Sequence, residues 1–258
     1  VRPGAGRQRR PPHPLTLMSY PIGVLTTRPG QGSTTFAMSL AWDLSVTRSV
    51  TLVDADMMGG TIADALELDS QGRGIANLLT ATRIDAGSID GQAVTHPTRG
   101  SLRVVPGLRG FSGPSLGRLM PRLNAALAGM KTDFVVLDLG CPLAFPDLES
   151  PRVTAETIAH AVRRTLVVLR DDPTFLPGSI QLLKFARIPQ ADLVVMKRRG
   201  SRMGKITTDV LGIQLPGYPT WQFDWDERRG QQATYEGRVL EQPGLAETLR
   251  VAPAAVSG

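Results

Sequence analysis

Residues 26–35 are of types that bind phosphate when they form a turn in front of a helix. The segment reads Thr-Thr-Arg-Pro-Gly-Gln-Gly-Ser-Thr-Thr and follows a short apolar run at 22–25. Beyond it, Phe36, Leu40 and Leu44 recur at the spacing of one helical face. The pattern predicts a strand, a glycine-rich turn and a helix, and we refer to residues 26–35 as the glycine loop.

The glycine loop has the chemistry of an anion site. A turn of this kind directs backbone N–H groups and a helix N-terminus at one point, where they stabilise phosphate. Gly30 and Gly32 would let the backbone approach an anion without interference from a Cβ atom. The Thr34 hydroxyl would lie where a nucleotide-bound Mg²⁺ ion sits.

Three carboxylates follow predicted strands. Asp54 and Asp56 come after the apolar run 50–53, and Asp138 comes after 134–137. The carboxyl ends of parallel strands open on the same edge of a sheet, where α/β proteins bind ligands. A phosphate-binding turn that faces carboxylates suits a magnesium–nucleotide complex, because the metal ion bridges groups that would otherwise repel each other.

The remaining elements complete an α/β pattern. Strands alternate with helices, and the strands are continuous Val/Leu runs, which predicts a doubly wound, mostly parallel sheet with helices on both faces in a single domain. The predicted strands are 22–26, 50–53, 102–105, 134–137, 165–169, 193–196 and 213–215. The predicted helices are 34–45, 61–66, 75–79, one beginning near Pro121, 154–163, 176–185, 206–211 and 240–249, the last interrupted by Pro243.

Composition narrows the class of protein. The chain has 258 residues, of which 41% are hydrophobic and 5% aromatic, and this suits one large α/β domain. Its single cysteine, Cys141, excludes a disulfide framework and fits a reducing cytoplasm. We expect residues 1–18 to form a disordered basic tail, 19–250 the folded domain, and 251–258 a flexible tail.

The glycine loop resembles the phosphate-binding loop of the MinD/ParA family of ATPases, whose pattern is Lys-Gly-Gly-x-Gly-Lys-Thr-Thr. The segment 50–66 is similar to the second signature of that family, and 134–138 is similar to its Walker B strand. Residues 59–68 and 74–79 look most like the TadZ/CpaE branch, which helps to position pilus-assembly machinery. The receiver-like N-terminal domain of CpaE proteins is not seen in this chain.

The resemblance implies ATP and Mg²⁺ as ligands and assigns roles to four residues. Thr34 would ligate the metal ion, and Asp138 would hold its water shell. Asp54 would support the metal side. Asp56 would be the catalytic residue that orients the attacking water.

Other members of the loop would surround the phosphates or reach the partner subunit. The phosphate-lining set implied by the resemblance is Gly30, Gln31, Gly32, Ser33 and Thr35. Arg28 would stand where the signature lysine of the family crosses a dimer to the partner's nucleotide. The resemblance also implies a homodimer whose partners are secretion or pilus-assembly proteins.

The departures from the family pattern predict weakened or absent ATP hydrolysis. Arg28, Pro29 and Ser33 replace the first lysine, the first glycine and the second lysine of the pattern. Phosphoryl transfer depends on positive charge around the phosphates. Loss of one charge-assisted contact costs roughly 1.5–3 kcal/mol of binding free energy. The adenine-reading asparagine of the family is also missing, since Lys197 and Arg198 stand at its position.

A basic cluster leaves a second function open. It consists of Lys197, Arg198, Arg199, Arg202 and Lys205. It could neutralise DNA phosphates without sequence specificity, or it could be a solvated basic loop. The C-terminal residues do not form the basic amphipathic helix that anchors MinD, so we expect no direct membrane anchor.

Three alternatives follow for the function of the chain. The chain could be a nucleotide-responsive positioning or scaffold protein, an active ParA-like partitioning ATPase that binds DNA, or a pseudo-ATPase that serves only as an interaction module.

Trp221, Phe223 and Trp225 alternate where the family's loop meets the adenine. They could contact a base, or they could pack in the core.

Overall fold

Parallel strands form the centre of the molecule. The computed structural model describes residues 19–109, 116–144, 150–199, 201–236 and 238–251. Within these ranges the strands are β1 (Tyr20–Thr26), β2 (Val50–Asp54), β3 (Val94–His96), β4 (Arg99–Val105), β5 (Phe134–Asp138), β6 (Arg164–Arg170), β7 (Ala191–Arg198) and β8 (Thr220–Trp225). They form one sheet in the order β3-β4-β2-β5-β1-β6-β7-β8, in which β3 is antiparallel to β4 and every other pair is parallel.

Helices cover both faces of this sheet. They are α1 (Ser33–Leu44), α2 (Ile62–Ala65), α3 (Ile75–Thr80), α4 (Ala86–Gln92), α5 (Leu116–Ala128), α6 (Pro151–Ala161), α7 (Leu176–Ala186), α8 (Met203–Gln214), α9 (Glu227–Tyr235) and α10 (Leu245–Thr248). The architecture is the predicted one, a doubly wound, mostly parallel α/β domain.

The central strands are apolar throughout because successive residues face two different cores. In β5, Phe134 and Val136 pack with α1, α2 and α10, whereas Val135 and Leu137 pack with the layer formed by α3 to α8. Every residue of β5 is buried. A strand buried on both faces needs no polar alternation, which is why the sequence pattern predicted a parallel sheet.

The predicted strand 213–215 is wrong. Ile213 lies in the last turn of α8 and Leu215 is its C-cap residue. Thr207, Leu211 and Leu215 are buried at helical spacing, whereas 76% of Ile213 is exposed. The period of burial is therefore helical, and three apolar residues in a row were too short a signal to distinguish the two structures.

Two further boundaries differ from the prediction. Helix α5 includes Pro121 rather than beginning near it. Leu119 and Met120, just before the proline, are completely buried, and this burial offsets the lost hydrogen bond. The predicted helix 240–249 is reduced to α10. The predicted tails are 1–18 and 251–258, and all of their residues lie outside the described ranges except Val251, which packs against the core.

Candidate functional site

The glycine loop and the predicted carboxylates meet at the carboxyl edge of three adjacent strands. Strand β5 lies between β2 and β1, and Asp54 is paired in register with Asp138. The backbone N–H of Thr26 donates to the carbonyl of Gly140 (2.9 Å), which joins the glycine loop to the segment after β5. Strand order reverses at this point of the sheet, so a crevice forms there.

The glycine loop leads into α1 without a side-chain cap. Gly30 and Gly32 have φ angles of 77° and 90°, in the left-handed region that favours glycine. Gly32 is the N-cap residue, and no side chain accepts a hydrogen bond from the first turn of α1. The first N–H groups of a helix have no partner within the helix. Those of Ser33, Thr34 and Thr35 are therefore available to an anion.

Gln31 holds the loop from the inside. Its side chain is buried, and its Oε1 accepts hydrogen bonds from the hydroxyls of Thr26 (2.5 Å) and Thr27 (3.1 Å). The hydroxyls of Thr27 and of Ser179 in α7 also share a hydrogen bond (2.7 Å). The side chain of Gln31 thus points into the protein, and only its backbone can face a ligand.

A cavity of about 380 Å³ opens over the glycine loop. Its lining residues come from the glycine loop, from the end of β8, and from the segments that follow β2 and β5. They are Thr26, Pro29, Gly30, Gly32, Ser33, Thr34, Thr35, Asp56, Met58, Gly140, Cys141 and Trp225. Five of the seven loop residues predicted to bind the nucleotide are therefore in this lining, and the two that are not are Arg28 and Gln31.

Asp54 is a buried carboxyl with one oxygen in use. Its Oδ2 accepts a hydrogen bond from the backbone N–H of Ile62 (2.9 Å), whereas Oδ1 is buried and has no hydrogen-bond partner. Burial and the nearby Asp138 raise the pKa of Asp54 to about 7. A Cβ atom at Gly60 or Gly107 would overlap this carboxyl, so the two glycines leave room for it.

Asp138 likewise has one carboxyl oxygen with a hydrogen-bond partner and one without. Its Oδ1 accepts from the backbone N–H of Gly140 (3.2 Å), and its buried Oδ2 has no partner within ordinary hydrogen-bond geometry. Burial raises the pKa of Asp138 to about 6, and the neighbouring Thr34 hydroxyl opposes this rise. A buried carboxylate oxygen without a partner is costly unless a donor or a cation reaches it.

Asp56 lies at the wall of the cavity. Its Oδ1 accepts from the backbone N–H of Met58 (2.9 Å), and burial raises its pKa. Gly140 has a φ angle of 60°, and a Cβ atom there would overlap the Asp56 carboxyl. The carboxyl group therefore lies directly against the backbone of the segment that follows β5.

Arg28 points away from the cavity, toward α7. Its guanidinium lies 5.8 Å from the ring centroid of Phe175 and packs against Gly178, where a Cβ atom would overlap it. A cation over an aromatic ring is attracted by the ring quadrupole. As a result, no lysine or arginine is among the described residues that line the cavity.

The donor set suits a magnesium ion that is shared with a ligand. Among the described residues, no group of three His, Cys, Asp or Glu side chains could hold a metal by itself. Magnesium commonly keeps several waters and takes one or two carboxylates together with substrate phosphates. The unpartnered oxygens of Asp54 and Asp138 and the Thr34 hydroxyl fit that mode of binding.

Two of the five residues of the basic cluster form ion pairs with aspartates. Lys197 pairs with Asp224 (3.2 Å) and Arg199 lies 3.9 Å from Asp226. Among the described residues, no ion pair is formed by the other members of the cluster, which are Arg198, Arg202 and Lys205.

The aromatic residues of β8 combine packing with contact to the cavity. Phe223 packs against Phe36 of α1, with ring centroids 5.8 Å apart. Trp221 donates its Nε1–H to Asp192 (3.0 Å). Trp225 also packs on the core but lines the cavity as well. Cys141 lines it too, and burial raises the pKa of its thiol to about 12, so the thiol stays neutral.

Sequence comparisons return nothing, since neither a family model nor a curated protein matches the chain. The fold does match. The eight strands within the described ranges, and their order in the sheet, give the chain a fold similar to that of solved MinD and ParA proteins. No helix among the described residues combines the length and the apolar character needed to cross a membrane.

Three solved structures illustrate this likeness. Apo McdA from Cyanothece is 17% identical, with a TM-score of 0.68 over 90% of this chain and 97% of that one. A ParA family ATPase from Chlorobium tepidum is 19% identical, with a TM-score of 0.65 over 92% and 94%. The septum site-determining protein MinD from Pyrococcus horikoshii, complexed with Mg-ADP, is 15% identical, with a TM-score of 0.61 over 92% and 90%. At these identities the likeness is one of fold.

Proposed function

We propose that the chain binds a nucleoside triphosphate with Mg²⁺ in the cavity over the glycine loop. The observation that carries the proposal is the pair of buried carboxyl oxygens on Asp54 and Asp138 without partners, beside a loop whose amides are uncapped. Backbone N–H groups at the start of α1 would receive phosphate oxygens. Thr34 and Asp138 would hold the metal ion, which offsets the negative charges of the phosphates when it is bound.

Gly30, Gly32, Ser33 and Thr35 would surround the phosphates in this proposal, with Gln31 contributing only its backbone. Asp56 would orient a water molecule for attack. Burial raises the pKa of Asp56, which makes its carboxylate a stronger base than that of an exposed aspartate.

We further propose that hydrolysis is slow or absent. Ser33 supplies a hydroxyl where the family pattern has a lysine, and Arg28 is docked on α7 rather than in the cavity. The cavity lining thus carries one carboxylate and no cation among its described residues. The transition state of phosphoryl transfer would lack the positive charge that normally stabilises it.

Calorimetric titration of the full chain tests this proposal. We expect ATP to bind with Mg²⁺ and to bind at least tenfold more weakly with EDTA, because no lysine or arginine is among the described residues that line the cavity. Thr34→Val keeps the size of the side chain and removes the hydroxyl, and it should weaken the magnesium-dependent part. A chain that binds no nucleotide under either condition would be a pure interaction module instead.

The biological role that we propose is that of a positioning or scaffold factor for a pilus-assembly or secretion system, acting as a homodimer. The resemblance of residues 59–79 to the TadZ/CpaE branch supports it. The structural neighbours include proteins described as septum site-determining and as plasmid partition proteins. Light scattering with and without ATP and Mg²⁺ tests the dimer, and a chain that stays monomeric with bound nucleotide would contradict it.

DNA binding is a second candidate, supported by the three members of the basic cluster that form no ion pair with a described residue. If the cluster binds DNA, affinity should fall steeply with salt, and each lost phosphate contact should reduce the slope of log K against log[salt] by about 0.9. Arg198→Glu and Arg202→Glu should therefore weaken binding, whereas Arg48→Glu at the far end of α1 should do so much less. Salt-independent binding would exclude the cluster.

A further inference from the structure

Arg170 contacts the glycine loop from the neighbouring strand. It is the last residue of β6, which pairs with β1 on the side opposite β5. Its Nη1 donates to the carbonyl of Gly30 (3.4 Å). The two residues are 140 positions apart in the chain, so the contact depends on the order of the strands in the sheet.

A second contact joins the same two parts of the molecule. Thr26, at the start of the glycine loop, is paired in register with Val168 of β6, and its hydroxyl lies 2.9 Å from the Val168 carbonyl oxygen. Together with the bond between Arg170 and Gly30, this contact supports the loop at two points. The end of β6 therefore helps to determine the conformation of the loop.

The bond from Arg170 sets the direction of a backbone donor. The peptide unit between Gly30 and Gln31 is planar and trans, so its carbonyl and its N–H point in opposite directions. Because the carbonyl points toward Arg170, the N–H of Gln31 points away from that side chain. Gly30 has a φ angle of 77° and the wide conformational freedom of glycine, and a bond to its carbonyl limits that freedom.

Arg170 also brings positive charge to the glycine loop. Arg28 is the one cation in the sequence of the loop, and its guanidinium lies on Phe175 of the segment before α7. Ser33 stands where the family pattern has a lysine. Arg170 is half-buried, and salt screens a partly buried charge less than an exposed one. Its charge would therefore attract phosphates that bind to the loop.

We propose that Arg170 is a positioning residue of the candidate phosphate site, which holds the peptide unit between Gly30 and Gln31 and adds positive charge beside the bound phosphates. This inference rests on the proposed function of the same loop. Arg170 acts on the polyphosphate part of the ligand and is indifferent to the base.

Calorimetric titration of the full chain with magnesium–ATP and with magnesium–tripolyphosphate tests the inference. Arg170→Met keeps the stem of the side chain and removes the donor and the charge, so it should weaken both ligands by about five- to fiftyfold. The loss should be smaller at high salt, because screening reduces the contribution of a charge. Arg170→Lys keeps a donor and the charge and should bind within about threefold of wild type.

Arg163→Met is the matched control. Arg163 is exposed and immediately precedes β6, about 23 Å from Arg170 along the strand, so its loss should leave both affinities unchanged. Thermal unfolding checks that each variant is folded. If Arg170→Met is not folded, Arg170→Gln keeps a donor for Gly30, loses only the charge, and should show a weaker affinity that depends on salt.

Two results would overturn the inference while the phosphate site stands. One is that wild type binds the two ligands as tightly as Arg170→Met, or as Arg170→Gln where that variant replaces it. The other is that Arg170→Lys loses as much affinity as the uncharged variant, since charge would then not be what the side chain contributes. If wild type binds neither ATP nor tripolyphosphate, the proposed function and this inference both fail.

Discussion

Asp54 and Asp138 end adjacent parallel strands at paired register positions, and each keeps one buried carboxyl oxygen without a hydrogen-bond partner. Burial raises the pKa of both, and their mutual repulsion adds to the shift at Asp54. Such a pair is unfavourable for folding alone. A cation or a hydrogen-bond donor that reaches the free oxygens would offset this cost. The pair therefore supports the proposed ligand site.

The first prediction concerns stability and pH. A carboxyl whose pKa is higher in the folded state favours folding at low pH, and this contribution is lost as pH rises from about 4 to about 7 for Asp54. Asp54→Asn removes the charge and can still accept from Ile62. Without Mg²⁺, the variant should match wild type near pH 4 and be more stable by about 2–4 kcal/mol at pH 7.5.

Urea denaturation with EDTA at several pH values measures this difference. The control is Asp85→Asn, because the pKa of Asp85 is lowered by hydrogen bonds from Ser88 and the pH dependence should have the opposite sign. A gain for Asp54→Asn that is independent of pH would mean that the carboxyl is not destabilised by its charge.

The second prediction restores a cation to the cavity. Ser33→Lys places an ammonium at the first turn of α1, where the family pattern has a lysine. Affinity for magnesium–ATP should rise about ten- to a hundredfold, and phosphate release should increase with it. Ser33→Met, which adds length without charge, should not raise the affinity. Equal effects of the two variants would show that positive charge is not what the site lacks.

Much of this arrangement could be predicted from the sequence, and the omissions have physical reasons. Strands β2, β5, β6 and β7 are buried on both faces, so their apolar runs were easy to detect. The edge strand β8 alternates between half-buried and exposed residues. The alternation of Trp221, Phe223 and Trp225 in the sequence is typical of a strand. From the sequence, only base contact or core packing is considered for these residues, and β8 is not predicted.

Short polar elements were also missed. Helix α4 contains a single buried residue, Ile89, so it has almost no apolar period. Its capping box, between Asp85 and Ser88, was a usable local signal. The docking of Arg28 could not be predicted, because it depends on contacts with Phe175 and Gly178, which are distant in the chain. The inward direction of Gln31 depends on hydrogen bonds with Thr26 and Thr27, which are local contacts that the residue types alone do not reveal.

The third prediction tests the contact between Asp56 and the segment after β5. Gly140→Ala would place a Cβ atom against the Asp56 carboxyl at a positive φ angle. We expect the variant to lose at least 1 kcal/mol of stability and any hydrolysis that depends on Asp56. The control is Gly212→Ala in α8, where a Cβ atom meets open space, and it should be neutral or stabilising by up to about 1 kcal/mol. Thermal unfolding of both variants measures the contrast, and equal losses would contradict it.

The fourth prediction concerns Arg28 and distinguishes a role in nucleotide binding from a role in dimerisation. Because its guanidinium lies on Phe175 and Gly178, Arg28→Ala should change the nucleotide affinity of the monomer less than threefold. If Arg28 reaches the partner's nucleotide in a dimer, the same variant should abolish nucleotide-dependent dimerisation. Calorimetry and light scattering give the two readouts, with Arg48→Ala, which lies beyond the end of α1, as a neutral control. A large loss of monomer affinity would mean that Arg28 turns into the cavity.

Crystals of the full chain grown with Mn²⁺ and a non-hydrolysable ATP analogue test the central claim most directly, through the anomalous signal of manganese. The account predicts one strong peak beside the Thr34 hydroxyl and the Asp138 carboxyl, with phosphates on the amides of the glycine loop. An analogue bound elsewhere, or a manganese peak remote from Asp54 and Asp138, would contradict it.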